Sequence, residues 1–486
     1  MQKVFIKNTL TGEKEEFKPI VEGRLGMYVC GPTVYGDPHM GHARSALTFD
    51  VVFRYFQEIG YKVRYVRNIT DVGHLEDEEN DAGEDKILKK ARLEQLEPME
   101  VAQHYTNVYR AALRKMNIKD PSIEPTASGH IIEQIKITED LISNGWAYEV
   151  NGSVYFDVVK FSDEHDYGKL SGRRIDELME GTRELDNQSE KKNAVDFALW
   201  KKAAPEHIMK WPSPWSVGFP GWHVECTAMS TKYLGVPFDL HGGGMDLKFP
   251  HHEAEIAQCA GATGKMTCNY WMHHNMVTLD GQKMAKSKGN FITLGELFAG
   301  DHKLLEQAYD PKTVRYFMLL SHYSSPIDFS NSALQGAEKA LKRLGESWKR
   351  INEVDTSQFG SSPEFAENWQ KVIDEMYGFM NDDFNTAQTI AKLNEISALF
   401  NAISNNQIDL STIDKVALDN LKEEFSNFTF DILGIEFEED GSSNNQNELL
   451  DILGEVRAQA RAEKNYVLSD LIRDKLNALG LEIQDK

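Results

Sequence analysis

Two short segments combine histidine, lysine and glycine in the way phosphate chemistry requires. His39-Met40-Gly41-His42 follows a Gly/Pro-punctuated stretch (GPTVYGDP) and precedes a helical pattern. A helix N-terminus offers unpaired N–H donors and the positive end of the helix dipole, which favour anions. Gly41 lets a phosphate or nucleobase approach the backbone, and His39 and His42 can donate to phosphate oxygens. The second segment, Lys283-Met284-Ala285-Lys286-Ser287-Lys288-Gly289-Asn290, sets three lysines in a glycine-bearing loop. That charge suits a transition state in which negative charge builds on transferring phosphates. Taken alone, the first segment reads more readily as a loop with incidental histidines, and the second as a solvated basic turn.

Donors of the kind zinc takes are present as well: thiol, imidazole and carboxylate. His251 and Glu255 stand four residues apart behind Pro250, which puts both on one face of a helix. Cys30 ends a strand-like run and Cys226 begins a helical one, but neither belongs to a CxxC pair. On spacing alone, buried structural cysteines are favoured over metal ligands. Cys259 and Cys268 have no paired ligand. Position 256 is Ile, so His252-Glu253 does not complete an HExxH zinc-protease pattern.

These residues need elements to hold them. Residues 25–30 (LGMYVC) read as a short buried strand. From 42 to 59, Ala46, Phe49, Phe53 and Phe56 recur at helical spacing, and Gly60 closes the helix. Residues 61–70 (YKVRYVRNIT) alternate as a strand does. This is a βαβ unit, the building block of a parallel sheet whose ligands sit beyond the strand C-termini. Residues 80–145 are helical in composition, with KILKK (86–90) as a charged helix face. Residues 145–159 form a hairpin turning at Asn151-Gly152. After a Trp/Pro-rich stretch (211–222), residues 236–258 run strand, glycine loop, helix. Beyond about 328 the pattern is helical to about 434, and 436–448 (EFEEDGSSNNQNE) is an acidic, polar linker. A final helical block, 449–486, follows.

At 486 residues, 41% hydrophobic and 27% charged, the chain exceeds one hydrophobic core and is expected to form several domains. Its 53 basic and 76 acidic residues give a net charge of −23, which argues against non-specific binding to nucleic acid or anionic lipid. A specific nucleic-acid partner would need a local basic surface; the run 339–350 (KALKRLGESWKR) reads first as a solvated helix face. Four cysteines make no disulfide framework and point to a reducing compartment. No apolar run is long enough to span a membrane, and the N-terminus has no secretory h-region. The expectation is a cytoplasmic protein without a membrane partner.

The two phosphate-type segments, in their order and separation, resemble the HIGH and KMSKS signatures of class I aminoacyl-tRNA synthetases. Flanking residues narrow this to the cysteinyl-tRNA synthetase family: MYVCGPTVY, YVRNITDV, PGWHVECTAMS, FDLHGGGMDLKFPHHEAEIAQ and NYWMHHNMV. Looser similarity continues through NDDFNTAQ (381–388) and RAEKNYVLSDLIRDKLNALGLEIQD (461–485). Met40 and Ala285 replace the signature isoleucine and serine. The family usually continues past the position of Asp485 with a short Gly-, Trp- and Lys/Arg-containing tail.

The resemblance implies an α/β fold. A Rossmann-like parallel-sheet catalytic domain (1–120 and 215–270) carries an inserted connective region (121–214). A stem-contact region with the KMAKS loop (271–327), an α-helical bundle (328–435), the linker (436–448) and a small C-terminal anticodon-binding domain (449–486) follow. It also implies one zinc ion on Cys30, Cys226, His251 and Glu255. ATP would meet His39, Gly41, His42, Lys283 and Lys286, with Lys286 the main catalytic contact and Lys283, His39 and His42 assisting. Gly31, Thr33, Thr70, Trp222, His241 and Asp246 would line the amino-acid pocket, Asp246 facing the substrate ammonium. The implied reaction joins L-cysteine to its tRNA through a cysteinyl-adenylate, with ATP, Mg²⁺ and a monomeric enzyme. Zinc has a physical logic here: a pocket alone discriminates sulfur from oxygen by only ~1–3 kcal/mol, whereas a metal-bound thiol ionises and an alcohol hardly does. The alternative is a cysteine-activating ligase acting on an amino-sugar. It would share the activation site but has no use for the long helical region after 328. A catalytically silent nucleotide- or RNA-binding protein is opposed by the intact lysines and ligand set.

Overall fold

In the computed structural model, the described residues are 2–478 other than 74, 78–81, 182–189, 206, 280, 285–288, 356, 358, 438–451, 455, 458 and 462–464. For 75–77, 82–84, 180, 181, 283, 467, 473, 474, 477 and 478 the description covers the backbone alone.

The chain splits into two compact units, Met1–Glu436 and Phe437–Lys486. At the centre of the first lies a four-stranded parallel sheet. Its strands are β1 (Arg24–Val29), β2 (Lys62–Arg67), β3 (Phe238–Gly244) and β4 (Cys268–His274), in the spatial order β4-β3-β1-β2. Register pairs Val29 with Arg67, His241 with Tyr28, and Gly243 with His273. The expected strand at 61–70 is shorter than its alternating pattern, but the βαβ unit forms as read.

Helix α1 (Met40–Glu58) is the crossover between β1 and β2. It is buried almost all round, because the sheet covers one side and the helical region another. Phe49 packs so closely on β3 that a Cβ at Gly242 would stand 2.2 Å from its Cε1. On another side, Tyr55 Oη donates to Asn381 Oδ1 at 2.7 Å. Buried Asp50 accepts from Arg54 Nε (2.9 Å), Arg315 Nη2 (2.6 Å) and the Lys119 amide (2.9 Å). A charge without those partners would be costly at such a depth.

A separate five-stranded antiparallel sheet is drawn from residues between Ala147 and Pro220 and includes the expected hairpin, Ala147–Val150 paired with Ser153–Phe156. The stretch expected to be helical from 80 to 145 contains three helices, Lys86–Glu94, Pro98–Lys115 and Ile131–Ser143, and begins with part of a strand pair, Leu75–Asp77 and Ala82–Asp85. Two helices then carry site residues, α2 (Trp222–Leu234) and α3 (Glu253–Thr263). The helical region comprises α4 (Pro311–Leu319), α5 (Asn331–Glu353), α6 (Pro363–Asn381), α7 (Thr386–Ser404) and α8 (Lys415–Ser426). In the second unit, helix α9 (Tyr466–Ala478) is described; residues 438–448 of the expected linker lie outside the described residues. Among the described residues no helix is long and apolar enough to cross a membrane.

Candidate active site

The carboxyl ends of the four parallel strands bring the chemistry together, as the topology requires. Cys30 and Gly31 follow β1; Asn68 and Thr70 follow β2. His241 to Gly244 close β3, and His273 and His274 close β4. The strand ends converge tightly. A Cβ on Gly31 would lie 1.6 Å from the Asn68 carbonyl oxygen, so only glycine fits there. The Gly31 amide donates to Asn68 Oδ1 at 2.8 Å.

Above these ends lies an open cleft of about 360 Å³, within the roughly 300–1,000 Å³ of small-molecule sites. Of the expected residues, Cys30, Gly31, Thr33, His39, Gly41, His42, Thr70, Trp222, Cys226, Asp246 and His251 line it. Met284 and Phe291, on either side of Lys286 in the sequence, also line it. Lys286 and the side chain of Lys283 lie outside the described residues.

His39 and His42 are built into the start of α1. His39 is the N-cap: its Nδ1 accepts from the Gly41 amide at 3.1 Å, and the His39 amide donates to His42 Nδ1 at 3.3 Å. Both Nδ1 atoms are acceptors, so each neutral ring carries its proton on Nε2. The rings stack with centroids 3.8 Å apart, and Phe291 meets His39 edge-on at 4.9 Å. The cleft wall thus presents imidazole N–H groups beside a helix N-terminus, a combination suited to phosphate.

The other end of the cleft is a cluster of metal-type donors. Cys30 Sγ lies 3.5 Å from Cys226 Sγ and 3.5 Å from Glu255 Oε1, while His251 Nε2 lies 3.4 Å from both Cys226 Sγ and Glu255 Oε1. Tetrahedral zinc with Zn–S near 2.3 Å and Zn–N/O near 2.0–2.2 Å requires donor separations of about 3.4–3.8 Å. Those four separations fall in that range, all four residues are buried, and their donor atoms all lie within 4.8 Å of one another. Burial pushes the Cys30 thiol well above its ordinary range and the Cys226 thiol up to about 12, with the neighbouring carboxylates adding to the rise. The donor set is thus matched to a divalent cation, whose charge favours the thiolates that burial disfavours.

Partners behind the donors orient them. His251 Nδ1 lies 3.2 Å from His223 Nδ1, and the Trp222 ring stacks on His251 at 4.3 Å. His241 does not reach the cleft surface: it is fully buried behind Glu255, its Nε2 2.9 Å from Oε2. Thr70 donates to the carboxyl of Glu225, and Asn68 Nδ2 donates to Thr70 Oγ1 at 3.2 Å. Burial raises the Glu225 carboxyl well above the usual range. Asp246 stands exposed at the rim.

Sequence reasoning passed over Asn68, Glu225 and His273, and weighed His252 only against the HExxH pattern. Glu225 and His252 adjoin proposed ligands in the chain, a signal that was available. Nothing local marked Asn68 or His273, because their roles depend on strand ends meeting.

Residues 16–339 match the family model described as tRNA synthetases class I (C) catalytic domain, and 376–438 match the DALR domain. The chain is 55% identical to a cysteine–tRNA ligase of Bacteroides thetaiotaomicron, over 99% of this chain and 97% of that protein. It is 53% identical to one of Cytophaga hutchinsonii, over 100% and 97%. Among solved structures, the Agrobacterium radiobacter K84 LeuRS ternary complex aligns with TM-score 0.60 at 11% identity, covering 86% of this chain and 85% of that one. A Mycobacterium tuberculosis methionyl-tRNA synthetase aligns at 0.57 and 14%, covering 83% and 88%. Those two likenesses concern the fold.

Proposed function

Because the chain belongs to the cysteine–tRNA ligases, a family of class I aminoacyl-tRNA synthetases, we propose that it activates L-cysteine with ATP and transfers it to the cognate tRNA, releasing pyrophosphate and then AMP. The observation that carries the amino-acid assignment is the set of four buried donors whose atoms lie within 4.8 Å of one another, on the same cleft as the His39/His42 pair. Zinc held by Cys30, Cys226, His251 and Glu255 would supply a preference for a thiolate over an alcohol, and so for cysteine over serine.

The chain's own residues have separable tasks. His39 and His42 donate from Nε2 to the ATP phosphates, and the α1 amides add the helix-terminal field. Lys283 and Lys286 neutralise the charge that grows as the amino-acid carboxylate attacks the α-phosphate; ATP arrives with its Mg²⁺. Asp246 pairs with the substrate ammonium, while Thr33, Thr70 and Trp222 bound the amino-acid end. His241 holds Glu255, and His223 holds His251. No side chain need become covalently attached, because positioning and electrostatics suffice. The DALR match at 376–438 supports tRNA over an amino-sugar as acceptor.

Cysteine-dependent ATP–pyrophosphate exchange, run against serine, tests the proposal. Strong exchange with cysteine alone is expected; equal exchange with both amino acids would sink the zinc argument.

A further inference from the structure

The proton inventory behind Cys30 singles out a further side chain. Thr9 Oγ1 stands 2.8 Å from the Trp271 carbonyl oxygen. Two oxygens that close need a proton between them, and only the threonine hydroxyl can supply it. His273 Nδ1 is also 2.8 Å from Thr9 Oγ1, and with the hydroxyl proton already committed this nitrogen must be the donor. A neutral imidazole carries one N–H and one lone pair, so with Nδ1 donating, His273 Nε2 is the acceptor. It accepts from His252 Nδ1–H at 2.8 Å. The relay therefore leaves His252 Nε2 without a proton.

That lone pair faces the metal-type donors. His252 Nε2 lies 3.3 Å from Cys30 Sγ and 4.0 Å from Glu255 Oε1. With the 3.5 Å between Cys30 and Glu255, the three atoms span one face of a second tetrahedron. This tetrahedron shares the Cys30–Glu255 edge with the first. His241 also falls in this second grouping, but its Nε2 faces the other Glu255 oxygen at 2.9 Å, where it serves as a donor to the carboxylate. The His252 ring has little freedom to turn away. A Cβ on Gly243 would meet its Cε1 at 2.6 Å, and Trp271 lies against it with centroids 5.2 Å apart.

We propose that His252 is a reserve ligand of the metal centre, its Nε2 lone pair fixed by the Thr9–His273 relay and able to hold zinc together with Cys30 and Glu255. The inference rests on the zinc reading of the quartet. Its consequence is a second coordination mode. Four protein ligands close a zinc site, whereas three leave the open position typical of catalytic zinc. With His251 lost, Cys30, Glu255 and His252 would make up such a set of three.

The test is zinc affinity of the full-length protein by chelator competition, with cobalt(II) absorption reporting the thiolate ligands. His251→Ala should retain zinc, weakened by no more than about 100-fold, and His252→Ala alone should change affinity by less than about 3-fold. The double variant should lose at least about 10-fold more than the product of the two single effects. Thr9→Val keeps the His252 ring but frees the relay to reverse. In the His251→Ala background it should reproduce most of that extra loss, which separates the lone pair from lost packing. Single effects that simply multiply, or a silent Thr9→Val in that background, would overturn the reserve-ligand inference. A wild-type chain that binds no zinc would instead overturn the reading of the quartet.

Discussion

His241 Nε2 lies 2.9 Å from Glu255 Oε2, with both side chains fully buried. The bond occupies one carboxylate oxygen and turns the other, Oε1, towards Cys30 and His251. A carboxylate is the least suited of the four donors to a soft thiolate-rich metal site, so its orientation depends on such support. His241→Phe keeps a ring in place and removes the donor. Zinc affinity should fall about 10–100-fold, measured by chelator competition. Unchanged affinity would mean that Glu255 is held by something else.

Lys286→Ala should slow adenylate formation far more than it weakens ATP binding, because charge at this position matters most in the transition state. Lys286 itself is outside the described residues, but Met284 and Phe291 on either side line the cleft. Pyrophosphate-exchange kinetics check this. Near-normal turnover with a large rise in the KM for ATP would contradict the role.

Removing residues 437–486 should leave cysteine activation intact and impair charging of tRNA. The boundary follows the division of the chain into Met1–Glu436 and Phe437–Lys486, and the proposed active site lies wholly within the first. A folded truncation without exchange activity would refute the separation of functions.

Acid should destabilise the fold partly through His274. Burial, its largest influence, lowers this imidazole to about 4. Above about 6.5 the ring is neutral in both folded and unfolded chains. Between there and about 4 the unfolded chain takes up a proton that the folded chain refuses, so stability falls as pH falls through this window. Urea midpoints at pH 7.5 and pH 5 should therefore differ less for His274→Gln than for the wild type. An equal drop in both would show that His274 carries none of the effect.

Local periodicity made much of the scaffold legible. Phe49, Phe53 and Phe56 mark the buried faces of α1, and the Asn151-Gly152 turn fixes its hairpin. The i, i+4 spacing of His251 and Glu255 also delivered its contact, 3.4 Å, even though His251 belongs to an irregular turn, Lys248–His252, and α3 begins only at Glu253. Long-range meetings were not legible in the residues themselves. Cys30 and Cys226 are 196 positions apart and meet because β1 and α2 pack together, and only family resemblance had placed them at one metal. The Thr9–His273–His252 relay joins three separate segments with no sequence signal. His241, expected at the pocket wall, stands behind Glu255 because its place in β3 points it into the interior.

The central claim is that zinc sits on Cys30, Cys226, His251 and Glu255 and selects cysteine by its sulfur. Zinc-edge X-ray absorption on the purified full-length protein tests it most directly. About one zinc per chain is expected, with two sulfur ligands at rest. Cys226→Ala should remove one sulfur and abolish cysteine activation, while Cys259→Ala serves as a silent control. Saturating cysteine should raise the sulfur count from two to three, and serine should leave it at two. A sulfur shell unchanged by cysteine would contradict the account, making the zinc structural and placing specificity elsewhere in the cleft.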